Sequence, residues 1–415
     1  MNDFDIQQYQ PVDTLYLWWL GQPDQPQLIG TLATVRAFKG VSLRYTPSWL
    51  AVGFPLSEDM PLIDSEFLPV ERETAAGAVD DARPDRWGER VIRFLDKPAR
   101  LSVMEFLFYA GDARFGALGV SISQESYVCR RLGPLPQVAD VPAIAQLVRR
   151  VLNGEPIDAA QQRLIAPGGT LGGARPKALL DIDGHPWILK FNEPGESIDM
   201  SLVEHATMTL AAKAGIRVAE TQPIALATTG HALAVKRFDR TAGRRTHALS
   251  AKVALKAVGE KMGYPELAQI LRRRGVSSGG LYLHHMRELF RRMVFNILMD
   301  NTDDHEKNHV LLMNDRGEYA LSPAFDVLPS CQALGYQQMR VGIHEADATL
   351  ENALSESRLF GLRPSEAVNE VKAVVAVVAG WRAHFASIGV LAGDVTSLAA
   401  QIERPFLVNQ RQKYA

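Results

Sequence analysis

Apolar and polar residues alternate along the first part of the chain in the manner of short β-strands. Residues 15–21 and 27–35 predict two strands joined by a turn rich in Pro and Asp. The alternation continues through 41–52, V-S-L-R-Y-T-P-S-W-L-A-V, and residues 117–123 predict a further strand. The N-terminal part is therefore expected to be β-rich, up to a Pro-rich boundary near residue 138.

Helical spacing occurs first in 80–96, where Pro84 suits a first helical turn, and then dominates the chain after this boundary. Residues 142–153 and 201–215 predict helices, the second ended by Gly215. A long apolar stripe then marks a core helix, and its members are Met286, Leu289, Phe290, Met293, Val294, Ile297 and Leu298. From 364 onward the pattern is again helical.

Short strands interrupt the helical pattern at three places. Asp183-Gly184 is a strong hairpin signal between two apolar runs, residues 231–240 predict one strand, and 309–323 predict a second hairpin. The predicted fold class is α+β, with a β-rich N-terminal subdomain at 1–138. An α/β subdomain at 139–242 and a mainly helical lobe at 243–415 complete the predicted division.

Composition excludes several classes of protein. The chain has 415 residues, 47% hydrophobic and 22% charged, a formal net charge of −2 and two cysteines, which argues against a disulfide framework or a four-cysteine zinc site. The acidic, polar N-terminus lacks the features of a signal peptide, so a cytoplasmic protein with no membrane association is expected. The basic run Arg272–Arg274 is expected to end a helix before Gly275 rather than to bind nucleic acid.

One loop has the residue order that phosphoryl transfer requires. In protein kinases an Asp accepts the hydroxyl proton, an Asn five positions later binds magnesium, and a second Asp beyond a hairpin also binds magnesium. Asp303, Asn308 and Asp326 have this order after the long helix. Asp300 and Asp304 compete for the role of base, and the spacing to Asn308 selects Asp303. The alternative is that this segment is only a helix exit and turn.

Two further residues of this loop are candidates for supporting roles. Lys307 is placed to steady a transferred phosphate, and His305 is expected to brace the loop by hydrogen bonds. Isolated metal sites at His305 and His309 are poorer interpretations, because no further His or Cys residues cluster with them.

An upstream segment supplies candidates for nucleotide binding. Lys190 lies in a strand-like run, where a charge among apolar neighbours requires a partner, and Glu204 on the following helix is the predicted partner. The alternative is a solvated edge-strand lysine. The glycine-rich segment that contains Gly172, Gly173 and Ala174 is a candidate for contacting phosphates with backbone N–H groups, although a flexible turn has the same composition.

Taken together, these motifs resemble a known family. G-G-A-R-P-K, I-L-K-F, V-K-R-F-D-R, T-D-D-H-E-K-N and P-A-F-D are similar to the HipA-like Ser/Thr kinases of bacterial type II toxin–antitoxin systems. L-I-G-T-L and Y-T-P-S-W-L resemble that family's N-terminal region, and P-D-R-W-G resembles one of its subgroups. The resemblance covers nearly the whole chain and implies a protein-kinase-like fold of two lobes.

The resemblance also implies roles for single residues. Asp303 would be the catalytic base, Asn308 and Asp326 would hold Mg²⁺, and Lys190 would contact the phosphates of ATP. The adenine site would contain Val235, Lys236 and Phe238, with Asp239 near the ribose. Members of the family autophosphorylate a serine in the glycine-rich loop, and the matching residue here is Thr170.

The implied function is that of an ATP- and Mg²⁺-dependent Ser/Thr protein kinase acting as a toxin. Its substrate would be a translation component such as an aminoacyl-tRNA synthetase. A helix-turn-helix antitoxin of the HipB type would neutralise it and connect it to DNA indirectly. The alternative from a different class is a catalytically silent kinase-fold scaffold that binds an antitoxin or repressor.

Overall fold

A computed structural model describes residues 9–130, 133–165, 173, 175–227 and 230–415. The chain divides into two compact units. Unit 1 comprises Met1–Phe191 and Lys236–Val258, and unit 2 comprises Asn192–Val235 and Gly259–Ala415. The three-part division at residues 138 and 242 stays a prediction.

The strands of the described residues are short and mostly fall in the first 250 positions. In chain order they are β1 (Thr14–Trp19), β2 (Gln27–Val35), β3 (Gly40–Tyr45), β4 (Glu66–Phe67), β5 (Leu118–Ser121), β6 (Lys177–Ile182), β7 (His185–Lys190), β8 (Thr221–Ala225), β9 (His231–Lys236), β10 (Arg240–Thr241), β11 (Arg244–Arg245), β12 (Ala248–Ser250), β13 (Val310–Met313) and β14 (Tyr319–Leu321).

The helices become longer and more frequent toward the C-terminus. In chain order they are α1 (Pro47–Val52), α2 (Arg86–Val91), α3 (Val103–Tyr109), α4 (Val141–Asn153), α5 (Ala159–Gln162), α6 (Met200–Lys213), α7 (Ala251–Ala257), α8 (Tyr264–Arg274), α9 (Leu281–Leu298), α10 (Leu350–Ser355), α11 (Pro364–Val378), α12 (Trp381–Ile388), α13 (Ala392–Ile402) and α14 (Pro405–Lys413). The α+β class, β-rich at the N-terminus and helical at the C-terminus, is confirmed.

Unit 1 contains an antiparallel sheet in the order β4-β3-β2-β1-β5. The predicted pairing of the first two strands is confirmed, with Thr14 opposite Ala33 and a bulge between Leu17 and Trp18. Helix α3 packs against this sheet and is buried along its whole length. The alternating apolar residues of the strands therefore face a core that this helix covers.

Two sequence predictions in this unit were wrong in detail. The run 41–52 does not continue as a strand: β3 ends at Tyr45, and Thr46 caps α1 by accepting a hydrogen bond from the backbone of Trp49 at 3.2 Å. Pro47 occupies the first turn of α1, where its missing N–H costs nothing. Pro84 lies before the cap of α2 rather than in its first turn, because Asp85 is the capping residue.

Strands β6 and β7 form the predicted hairpin. Asp183 and Gly184 both have positive φ, 53° and 76°, as the twist of a two-residue hairpin turn requires. The register pairs Lys177 with Lys190, so both lysines lie at the same end of the hairpin. Strand β9 is shorter than the predicted 231–240, because it ends at Lys236.

Unit 2 is built around α9. Its predicted apolar stripe is confirmed, since all seven members are at most 1% exposed. Helices α8, α10 and α11 pack against it, and β13 and β14 form the predicted hairpin immediately afterwards. Arg272–Arg274 do occupy the last turn of α8 before Gly275.

The helical run after residue 364 is divided. Helices α11 and α12 are separated at Ala379-Gly380 and bent by 48°. Among the described residues no single helix is long and apolar enough to cross a membrane, and only this bent pair passes by length and composition.

Candidate functional site

The loop after α9 in unit 2 contains three aspartates in different environments. Asp300 has left-handed backbone (φ 56°), is 1% exposed and lies 2.8 Å from the Nη2 atom of Arg404. Its backbone carbonyl also accepts a hydrogen bond from the hydroxyl of Ser330 at 3.0 Å. Asp300 therefore fixes the exit of the helix and is not accessible to a substrate.

Asp304 is enclosed by protein. Its Oδ2 atom accepts hydrogen bonds from the hydroxyl of Tyr264 and from Nε2 of His309, the latter at 2.8 Å. Burial alone would raise the pKa of Asp304, but His309 and the two hydrogen bonds lower it below its ordinary value. A buried carboxylate with both partners in place anchors the loop and cannot reach a substrate hydroxyl.

Asp303 differs from both neighbours because the residue is exposed. Nε2 of Gln338 donates a hydrogen bond to its Oδ1 atom at 2.7 Å. Partial desolvation of the carboxyl raises the pKa of Asp303, and the nearby charges of Asp326 and Asp304 raise it further, against His305 and the Gln338 hydrogen bond. An accessible carboxylate with a raised pKa has the properties of a general base.

The segment that follows turns tightly before β13. Glu306–Asn308 form a 3₁₀ turn, and Nδ1 of His305 accepts a hydrogen bond from the backbone N–H of Lys307 at 3.2 Å. The backbone N–H of Asn308 donates to the carbonyl of His305 at 2.9 Å. This geometry agrees with a bracing role for His305, while Lys307 is half-buried and Asn308 is buried.

Asp326 follows the β13–β14 hairpin, and Ala324, two residues before it, is held by backbone hydrogen bonds within the same unit. Ala324 donates to the carbonyl of Arg217 at 2.7 Å, and its own carbonyl accepts from Ala219 at 2.8 Å. Asp326 itself has left-handed backbone, φ 60°, a conformation that the surrounding structure must hold in place. Its charge acts on Asp303, so the two carboxylates lie near one another.

The donors of this loop suit magnesium. Mg²⁺ prefers oxygen ligands and is usually held by one or two carboxylates together with water and phosphate oxygens. Asp326 and Asn308 supply oxygens, and among the described residues no group of three or more His, Cys, Asp or Glu side chains gathers around one point. The carboxylate of Asp326 and the amide oxygen of Asn308 therefore fit the ligand preference of Mg²⁺.

The predicted phosphate-binding residues of unit 1 lie at one end of the β6–β7 hairpin. Lys190 is the last residue of β7 and is 8% exposed. Gly173 has a φ of 95°, and a Cβ atom there would meet the Nζ atom of Lys177 at 2.7 Å. Only glycine fits between this backbone and Lys177 without displacing the ammonium group.

Lys177 connects two motifs that sequence reasoning noted separately. Its Nζ atom donates to Oδ2 of Asp85 at 2.8 Å, and its carbonyl accepts from Nε1 of Trp87 at 2.7 Å. The other oxygen of Asp85 caps α2 through the N–H of Gly88 at 2.7 Å. The P-D-R-W-G segment is therefore an anchor for the strand after the glycine-rich loop. The two segments are 92 residues apart, so local pattern could not predict the contact.

The predicted adenine site falls at the end of β9. Val235 is buried, the ammonium of Lys236 lies 5.6 Å from the ring centroid of Trp187, and Phe238 packs edge-on against Phe115. A nucleotide contact by these residues stays a prediction.

Asp239 is fully buried, and its carboxylate already accepts hydrogen bonds from Arg237, from Arg240 and from the backbone of Gly116. Burial opposes its ionisation, but the two arginines lower the pKa of Asp239 to about 2. A ribose contact by Asp239 stays a prediction, and this geometry favours a structural role.

Some predicted residues cannot be placed in one site. Thr170, Gly172 and Ala174 lie outside the described residues. Glu204 is buried on α6 in unit 2, whereas Lys190 belongs to unit 1, so their pairing stays a prediction. The predicted site residues are therefore divided between the two units.

Comparison with known proteins places the chain in a family. Models of the HipA-like C-terminal domain and of the HipA N-terminal domain match residues 169–381 and 25–121. The candidate kinase Y4dM of Sinorhizobium fredii is 34% identical over 160 residues, 35% of this chain. The match spans 37% of that relative's own length.

A solved structure shows the same fold over almost the whole chain. The Shewanella oneidensis HipA, determined with HipB and its operator DNA, covers 96% of this chain and is itself covered over 97%, with a TM-score of 0.63 and 17% identity. At this identity the likeness shows the fold alone.

Proposed function

This chain belongs to the HipA-like family, and from that premise we propose that it is an ATP- and Mg²⁺-dependent protein kinase that phosphorylates serine or threonine. The observation that carries the proposal is the environment of Asp303. Of the three aspartates after α9 it is the exposed one, and its pKa is raised. Its neighbours Asp300 and Asp304 are held by Arg404 and by Tyr264 with His309.

The proposed reaction gives a separate role to each residue of the candidate site. Asp303 accepts the proton of the substrate hydroxyl, and Gln338 orients the carboxylate through its hydrogen bond. Asn308 and Asp326 would hold Mg²⁺, which when bound neutralises charge on the phosphates. Lys190 and the backbone around Gly173 are the proposed phosphate contacts, and Val235, Lys236 and Phe238 the proposed adenine contacts.

The test of this function is transfer of label from γ-labelled ATP to proteins of a cell lysate, with and without Mg²⁺. We expect Mg²⁺-dependent labelling, and acid hydrolysis of the products should release phosphoserine or phosphothreonine. Absence of labelled protein under all conditions would instead favour a silent scaffold. Label recovered only as phosphotyrosine would refute the serine/threonine specificity.

The family also suggests a biological setting. We propose that the kinase acts as a toxin on a translation component such as an aminoacyl-tRNA synthetase, and that a helix-turn-helix antitoxin of the HipB type binds it. The Shewanella structure, in which HipA accompanies HipB and operator DNA, supports the antitoxin. Phosphoproteomics after induced expression would name the target, and mass spectrometry of the purified chain would show whether Thr170 is phosphorylated.

A further inference from the structure

One cavity is lined, among the described residues, by residues of unit 1 alone, and none of the proposed catalytic residues is among them. Its volume is about 670 Å³, a size typical of small-molecule sites. Its apolar lining includes Leu135, Pro136, Leu164, Leu179 and Pro186. Lys190, Lys236 and Phe238 are not among the residues that line it.

The polar lining of this cavity is dominated by arginine. Five arginines of the described part of the chain line it, namely Arg130, Arg163, Arg237, Arg240 and Arg245. They come from separate parts of the chain, before and after the β6–β7 hairpin, so the fold gathers them at one place. Asp112 is the one carboxylate-bearing residue among the described lining residues.

Carboxylates balance only part of this charge. Asp239 lies between Arg237 and Arg240, Asp112 pairs with Arg245 at 2.9 Å, and Asp96 pairs with Arg130 at 2.6 Å. Arg163 is exposed and pairs with no carboxylate in the part of the chain that the structure describes. The five arginines therefore face three carboxylates, and the cavity keeps a positive excess.

A sixth arginine, Arg114, is in contact with two of the lining arginines. Arg114 is 1% exposed, and its guanidinium donates only to the backbone carbonyls of Gly111, Ala82 and Leu107 in the described structure. Its own carbonyl accepts from Arg237 and Arg240 at 3.0 and 2.7 Å. A buried cation without a carboxylate raises the local positive potential, which an anion in the adjoining cavity would compensate.

Most of these guanidinium groups are held in fixed positions. Arg237 donates to the carbonyls of Ala113 and Arg114 as well as to Asp239, and Arg245 donates to both the carbonyl and the carboxylate of Asp112. Because the side chains are already ordered, binding an anion costs little additional conformational entropy. Planar guanidinium groups also match phosphate oxygens better than lysine does.

From this arrangement we infer that the arginine-lined cavity of unit 1 binds a phosphate-bearing small molecule that also has an apolar part. The excess of arginine over carboxylate recognises the phosphate, and the proline and leucine side chains contact the apolar part. This inference does not depend on the proposed kinase activity, because none of the described residues assigned to that activity lines the cavity.

The test is titration of the full chain with sodium pyrophosphate, without Mg²⁺, by isothermal calorimetry at constant ionic strength. We expect saturable binding that Arg163→Gln and Arg245→Gln each weaken at least fivefold. Arg163→Gln is the safer variant for folding, since Arg163 is exposed. Arg149→Gln, an exposed arginine of α4 in the same unit, should leave the affinity unchanged.

A second variant separates this cavity from the proposed nucleotide site. Pyrophosphate should still bind Lys190→Met with the affinity of the wild type. Loss of binding in Lys190→Met together with full binding in Arg163→Gln would place the anion at the nucleotide site and overturn the inference. The inference would also be overturned if the heat of pyrophosphate binding did not saturate, or if sodium chloride at equal ionic strength gave the same heat.

Discussion

At the scale of single residues, environment rather than residue type separates three aspartates within five positions. Asp300 and Asp304 are each at most 2% exposed and paired, whereas Asp303 is exposed and has a raised pKa. The spacing to Asn308 predicts the choice of Asp303. Spacing could not predict the partners Tyr264 and Gln338, which lie 40 residues before and 35 residues after the aspartates they contact.

The pH dependence of activity should report on Asp303. A base must be deprotonated, so the rate falls as the pH falls through the pKa of Asp303. The Gln338 hydrogen bond lowers that pKa, so Gln338→Leu should raise it and move the acid limb of the kcat/KM profile to higher pH. Gln332→Leu, exposed in the same segment, is the control. An acid limb that stays in place would contradict the assignment.

The carboxylate of Asp304, next to Asp303, should contribute to the free energy of unfolding. Asp304→Ala leaves the buried Tyr264 hydroxyl and His309 without their acceptor, which should lower the free energy of unfolding by about 3 kcal/mol. Asp315→Ala, exposed in the β13–β14 turn, should change it by less than about 0.5 kcal/mol. Denaturant titration measures both values, and equal values would show that Asp304 does not anchor the loop.

At the scale of elements, the hairpins and the core helix follow from local pattern. The local sequence is sufficient to predict both the turn at Asp183-Gly184 and the buried face of α9. The run 41–52 was predicted to continue as a strand because its apolar and polar residues alternate. Alternation does not show where a helix begins, although Thr46 and Pro47 together are a helix-capping signal. The anchor of Lys177 on Asp85 and Trp87 is a long-range contact, which periodicity cannot contain.

Gly173, four residues before β6, and Gly184, in the β6–β7 turn, offer a matched pair of glycine substitutions. Gly173→Ala and Gly184→Ala both place a Cβ atom at positive φ, which costs about 1–2 kcal/mol in each case. Gly184 has nothing within 4 Å of the added atom, whereas at Gly173 it displaces Lys177. Calorimetry should therefore show weaker Mg²⁺–ATP binding for Gly173→Ala, by tenfold or more, and wild-type affinity for Gly184→Ala. Equal Mg²⁺–ATP affinities of the two variants would show that the glycine-rich loop does not contribute to nucleotide binding.

At the scale of the whole molecule, the order of the motifs along the chain is more specific for the family than any single motif. The proposed catalytic loop, the β13–β14 hairpin and Asp326 follow one another within unit 2, and Lys190 and Gly173 belong to unit 1. Family models match both the N-terminal and the C-terminal regions, which agrees with the resemblance seen in the motifs. No single motif predicts the arginine-lined cavity, because Arg237 and Arg240 belong to V-K-R-F-D-R whereas Arg130, Arg163 and Arg245 lie outside it.

The central claim is that Asp303 is the base of a phosphoryl-transfer reaction. Its most direct test is the steady-state rate of ATP-dependent phosphorylation for wild type, Asp303→Asn and Asp315→Asn. We predict that Asp303→Asn lowers kcat by about 10²–10⁴-fold while the rise in Tm on adding Mg²⁺–ATP is retained, and that Asp315→Asn matches the wild type. Wild-type kcat in a correctly folded Asp303→Asn variant would contradict the claim.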